Sequence, residues 1–301
     1  MQEPELVSPP RARWPQRVVQ RLVHELRLAF LALQFLTRIP VPRWVGFEPV
    51  WLQQCARHFP AVGALVGAAS ALVLWAAAPW LGLPAAVLMA MAASLWMTGA
   101  FHEDGLADTS DALGGAVPRA RALEIMKDSR IGTYGAVALW LALTLKAVLV
   151  FNLAAQGLML ALAALPLAHA WSRVAPLVVM WALPYGGDAA MAKAKPLALQ
   201  IGWPGLGVAF AWSGLAAAGA WTLGLPIVAM AAAALALVPA LAAIVRWLRL
   251  RLGGFTGDTL GAAQQLSELL IYAALCVALG GAGTGAGAGA AAAWLGASLG
   301  R

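Results

Sequence analysis

Between Gly99 and Gly135 the chain reads GAFHEDGLADTSDALGGAVPRARALEIMKDSRIGTYG, and this stretch holds six of the thirteen Asp and Glu residues. Asp104, Asp108 and Asp111 recur at i, i+4 and i+7, a spacing that sets three carboxylates within roughly 60° of each other on a helix surface. Like charges so placed repel unless a cation sits against them. Carboxylate oxygens are hard ligands, which points to Mg²⁺ or a similar ion rather than zinc. No Cys lies nearby, and His102 is the only imidazole of the stretch. The helix dipole would account for an acidic first turn, but Asp111 lies beyond it, where that effect fades.

Cations follow the acids. Arg119, Arg121, Lys127 and Arg130 come next, with Asp128 among them. Carboxylates for a metal beside Arg and Lys for phosphate oxygens suit a phosphate-handling site, although a mixed-charge loop has the same composition. A second candidate is GGFTGDTLGAAQQLSE, from Gly253. Asp258 at the start of its helix could join the metal set, while Gly257 and Gly261 permit close approach of a phosphate or another helix. Gln264, Gln265 and Glu268 carry polarity into the apolar run behind it, and Gln264 and Glu268 share a face that does not suit lipid.

The elements that must position these residues are set by composition. With 301 residues, 62% hydrophobic and 11% charged, the chain reads as an all-α, polytopic integral membrane protein. Apolar runs of roughly 20 residues, enough to span a bilayer, begin near His58, Pro84, Gly132, Leu158, Trp203, Pro226 and Asp258. About seven transmembrane helices are therefore expected. Ahead of them, Arg13, Arg17, Arg21, Glu25 and Arg27 fall near one helical face and Leu22, Leu26, Phe30 and Leu33 on the other, the pattern of an amphipathic helix lying on an anionic leaflet. Pro40 and Pro42 in TRIPVP end it. Residues 1–56 thus form an N-terminal interfacial segment and residues 57–280 the membrane domain. Residues 281–301 form a low-complexity tail or a weak eighth span.

The formal net charge of +7 has no basic stripe interleaved with aromatics, which argues against a nucleic-acid partner; it reads as a topology signal. Linkers after the first, third and fifth runs carry no Lys or Arg. Those after the second, fourth and sixth carry Arg119, Arg121, Lys127 and Arg130, then Lys193 and Lys195, then Arg246, Arg249 and Arg251. Setting aside Lys146, Arg173 and Arg301, the remaining 17 of 20 basic residues share one side, the cytoplasmic side by the positive-inside rule. Within the runs, Lys146 either snorkels or faces a helix interface. Arg173, with His169 and Ser172 nearby, needs an anion, either a carboxylate of a neighbouring helix or a substrate phosphate. Cys55 and Cys276 form no metal or redox pattern.

HEDGLADTSDALGG and KDSRIGTYG resemble the two central motifs of the cobalamin synthase (adenosylcobinamide-GDP ribazoletransferase) family. FLTRIPVP at Phe35 to Pro42 and GGFTGDTLGA at Gly253 to Ala262 are similar to two more, in the same order. One departure is Ala112, where the family usually has Gly. The resemblance implies a Mg²⁺-dependent transferase of a bacterial inner membrane, working at the cytoplasmic face. It would join adenosylcobinamide-GDP to α-ribazole or its 5′-phosphate and release GMP. Carried onto this chain, it makes Asp104, Asp108 and Asp111 metal ligands, with Asp128 and Asp258 as further ones. Lys127, Arg130 and Arg173 become contacts for the diphosphate or the leaving GMP, and Glu103 the general base by position. Membrane lipid surrounds such a protein, and a homo-oligomer is left open. A CDP-alcohol phosphotransferase would pair its Asp residues with a Gly and two further Asp on the next helix, which are missing after Asp111. A secondary transporter would show internal repeats, and none is present.

Overall fold

A computed structural model describes residues 14–187 and 200–283; Arg13, Lys193, Lys195 and the tail beyond residue 283 lie outside them. The described residues form eleven α-helices with short connections and a single isolated bridge between Tyr185 and Phe255. Five segments are long and apolar enough to cross a membrane: Pro49–Thr98, Thr133–Gln156, Leu158–Ala182, Ile227–Leu252 and Gly257–Gly280. The seven expected runs differ from these five at two places. The first segment contains two runs, and the run from Trp203, rich in Gly and Trp, is a 20-residue helix outside the five.

The first segment is a helical hairpin. Helices α1 (Trp14–Leu36) and α2 (Pro49–Cys55) precede α3 (Phe59–Thr98), whose 40 residues are interrupted by Gly82 at φ 73° and ψ 163°, between Pro79 and Pro84. Glycine accepts that backbone at no steric cost, and the prolines remove N–H donors that would continue the helix. The arms, residues 59–81 and 83–98, fold back on one another. Phe35 on α1 therefore stacks on Phe59 at 6.1 Å and meets Phe101, just past the other arm, at 5.2 Å.

Those contacts also orient α1. Its residue 25 reaches Arg57 and His58, its residue 35 reaches Phe59, and the chain after it reaches Met97. A helix that meets one end of the hairpin along this much of its length lies across that end rather than beside the arms. His58 pins it. The indole of Trp212 donates to His58 Nδ1 at 3.1 Å, so the ring proton sits on Nε2, 3.0 Å from Glu25, because indole N–H is a donor only.

The remaining helices are α4 (Phe101–Leu113), α5 (Arg119–Ile125), α6 (Thr133–Gln156), α7 (Leu158–Ser172), α8 (Val174–Ala182), α9 (Trp203–Thr222), α10 (Ile227–Leu252) and α11 (Gly257–Gly283). The α7–α8 segment is central, 67% buried in its apolar window, and α10 is peripheral at 17%. Two cores result. One, at the hairpin's open end, joins Leu28, Leu36, Phe59, Leu113, Met126, Leu177 and Phe255. The other, toward Gly82, is built from small residues and leucines such as Ala161, Ala164, Leu74, Leu153 and Leu225.

Candidate active site

Helix α4 carries the acidic spacing, and its entry is unusual. Gly99 at φ 68° and Ala100 at φ 57° are consecutive left-handed residues, a conformation that costs an L-residue with a Cβ about 1–2 kcal/mol. The turn redirects the chain from the second arm of α3 into α4. Its buried face, with His102, Gly105, Leu106 and Thr109, packs on α11. A Cβ on Gly105 would stand 2.7 Å from the Asp258 carbonyl and 3.1 Å from Gly261 Cα, so the helices touch backbone to backbone. That crossing sets Asp258 beside the turn between Asp104 and Asp108.

Start and stop signals hold this arrangement. Thr256 N–H donates to Thr259 Oγ1 at 2.9 Å, and Thr259 N–H returns a bond to Thr256 Oγ1 at 3.3 Å, a reciprocal cap on α11. Asp111 uses both oxygens on the first turn of α6, accepting Gly132 N–H at 2.7 Å and Gly135 N–H at 2.8 Å. Negative charge at a helix N-terminus is favourable. Asp104 is exposed, and Asp108 and Asp111 are half-buried.

The basic residues divide by task. Arg119 Nε donates to Leu252 O and its terminal nitrogen to Gly186 O, both at 2.7 Å. Arg251 donates to Leu113 O at 3.1 Å and Gly115 O at 2.7 Å. These two guanidinium forks tie the loops after α4, α8 and α10 together. Arg121 pairs with Glu124 on the surface. Arg130 pairs with Asp128 at 2.7 Å, and that hydrogen-bonded carboxylate raises the guanidinium pKa above its ordinary value. Lys127 is exposed on the same loop. All four motif segments meet at this one end: Arg38 N–H bonds Met97 O, Asp111 bonds Gly132, and Thr256 Oγ1 bonds Met126 Sδ at 3.5 Å.

Glu103 and Arg173 lie elsewhere. Adjacent to Asp104 in sequence, Glu103 turns inward and is 8% exposed; Arg173, at the break between α7 and α8, is 1% exposed. They belong to a sealed network. Lys146 Nζ on α6 is 3.1 Å from Glu268 Oε1 and 3.8 Å from Glu103 Oε1. Gln265 accepts from Lys146 at 3.0 Å and donates to Glu103 at 2.8 Å. Gln264 donates to Glu268 at 2.8 Å and to Ser172 at 2.9 Å, and His169 Nε2 is 3.4 Å from Glu268. Arg173 donates to His169 O at 2.7 Å, within electrostatic reach of Glu268 and Glu103. Two cations therefore face two carboxylates, with amides filling the geometry between them. Glu103 Oε2 and Arg173 Nε have no hydrogen-bond partner among the described residues.

Sequence reasoning found most members of this network singly, but not that Lys146 is the cation joining them. Its signal was a lone charge in an apolar run, which a protein-facing helix side explains better than lipid. Among the described residues, no three His, Cys, Asp or Glu side chains converge as a ready-made ion cage.

A family model for cobalamin-5-phosphate synthase matches residues 28–276. An adenosylcobinamide-GDP ribazoletransferase of Leptothrix cholodnii is 56% identical over 251 residues, covering 83% of this chain and 95% of that protein. Proteins of the same name from Polaromonas naphthalenivorans and Shewanella amazonensis are 44% and 41% identical, over 84% and 83% of this chain and 99% and 95% of their own lengths. No solved structure matches the chain. With the motif segments gathered at one end of the bundle and the match running through nearly all the described helices, the chain belongs to the cobalamin-5-phosphate synthase family.

Proposed function

We propose that the chain is an adenosylcobinamide-GDP ribazoletransferase acting at the cytoplasmic face of a bacterial inner membrane. The observation that carries this reading is the convergence of the four motif segments on one end of the helices, around the outward carboxylates of α4. A hydroxyl oxygen of α-ribazole, or of its 5′-phosphate, bonds to the phosphorus on the cobinamide side of the diphosphate. The P–O bond to GMP breaks, GMP leaves with the bridging oxygen, and the hydroxyl proton passes to a base. Phosphoryl transfer of this kind is mostly positioning and charge neutralisation.

Asp104, Asp108 and Asp258 offer hard oxygens on adjoining turns, and their donor chemistry fits Mg²⁺, which is usually held by one or two carboxylates plus phosphate and water rather than by a protein cage. When bound, the ion would offset the diphosphate charge. Asp111 serves this set by fixing α6 to α4, and Asp128 by orienting Arg130. Lys127 and Arg130 are the proposed diphosphate contacts. Arg173 and Glu103 are both assigned to the buried network; with its Oε2 sealed away from the outward carboxylates, Glu103 does not serve as the base. Membrane orientation follows the basic linkers, with α9 and both arms of α3 counted among seven spans.

The test is turnover of adenosylcobinamide-GDP and α-ribazole by the purified, detergent-solubilised protein, with and without Mg²⁺, and with Asp108→Asn. Metal-dependent product that collapses in the variant is expected. Folded wild-type protein that makes no product with any divalent ion would overturn the reading.

A further inference from the structure

Arg38 occupies a notch at the head of α4. Its guanidinium lies over Gly99: a Cβ on that glycine would stand 2.9 Å from Arg38 Nε and 3.2 Å from a terminal nitrogen. The space exists because residue 99 has no side chain, and its φ of 68° independently favours glycine. The backbone beneath is fixed as well. Arg38 N–H donates to Met97 O at 2.7 Å, and the Thr37 hydroxyl donates to Leu33 O at 2.7 Å while accepting Ile39 N–H at 3.2 Å. Pro40 then restricts the chain.

Several arginines at this end have a described job. Arg119, Arg249 and Arg251 serve main-chain carbonyls, and Arg121 and Arg130 serve carboxylates. Arg38 is exposed and makes no ion pair with a described carboxylate, although it lies at the entry to the most acidic helix of the chain. Guanidinium groups match phosphate oxygens through parallel N–H donors. We propose that Arg38 is a substrate-contacting residue that receives a phosphate oxygen of the nucleotide-linked diphosphate beside Asp104. This rests on the reaction proposed above. An anionic lipid headgroup presents the same chemistry, and the experiment separates the two.

KM for adenosylcobinamide-GDP and for α-ribazole is measured for full-length wild type, Arg38→Gln and Arg38→Lys. Assays are run in neutral detergent, in phosphatidylcholine vesicles and in vesicles containing phosphatidylglycerol. Arg38→Gln should raise KM for the nucleotide substrate about tenfold or more in all three media, with KM for α-ribazole unchanged and Arg38→Lys between. An unchanged nucleotide KM overturns the proposal, and so does an effect confined to phosphatidylglycerol vesicles, which assigns Arg38 to lipid. A readout without turnover uses wild type alone. Inorganic pyrophosphate should protect Arg38 from phenylglyoxal, mapped by mass spectrometry, and no protection again overturns the proposal. Protection in a protein that turns nothing over would instead count against the reaction, and it also decides the matter if the variants do not fold.

Discussion

Glu103 and Asp104 are neighbours in sequence and face different worlds. Asp104, with Asp108 and Asp111, looks out at the end of the bundle where the motif loops meet. Glu103 looks in, joining Glu268, Lys146 and Arg173 among α6, α7 and α11. Asp104 is open to solvent and has ligand capacity to offer, Asp108 is half-exposed beside it, and Asp111 gives both oxygens to α6. The inward carboxylates have lost their water and are tolerable only because cations and amides complete them. One helix thus divides its acids between an outward face and an inward network, and charge alone does not say which is which.

That division can be broken from either side. The largest effect is expected inside. Lys146→Met removes the cation closest to Glu268 and Glu103, leaving Arg173 alone against two carboxylates, and should cost about 3–5 kcal/mol, because a buried charge is left unpaired. Thermal unfolding in detergent reads it, and adding Glu268→Leu should return part of the loss. If the single variant melts like wild type, the network is not holding the helices. Outside, Asp108→Asn should lower turnover by about 10²–10³-fold, on the scale of losing one transition-state stabilising group, while the melting temperature stays put; a lowered melting temperature would assign Asp108 to structure.

Asp111→Asn is expected to fall between the two classes. It weakens the cap on α6 by about 1 kcal/mol, so stability and activity should drop together and modestly. A full loss of activity at unchanged stability would move Asp111 into the metal set. The smallest effect belongs to Ala100→Gly, which relieves a left-handed alanine and should stabilise by no more than about 1 kcal/mol.

The helical, membrane-spanning character was legible because apolar runs need no partner to be recognised. The meeting of the motif segments at one end agrees with the basic linkers, which alternate along the chain and share one side. The inward turn of Glu103 was not legible, because its neighbours Asp104 and Asp108 fit the same acidic pattern and only the Gly105–Gly261 crossing sets which face of α4 meets α11. Nor could spacing reveal that Asp111 caps α6, since Gly132 is 21 residues away and the bond exists only once both helices are packed. Arg119 and Arg251 read as topology charges in sequence; their carbonyl partners lie more than a hundred residues off in three of four bonds.

Those two arginines grip main chain, not side chains. A carbonyl oxygen is supplied by whatever amino acid occupies a position. Leu113 and Leu252 are held by the core, and Gly186 by its approach to Gly254, but the clasp itself makes no demand on the side chains at 113, 115, 186 and 252. The arginines have no such freedom, because a lysine ammonium cannot reach two carbonyls with a planar fork. The frame at the end where the motif segments meet therefore hangs on two side chains, Arg119 and Arg251, and on main chain everywhere else they touch.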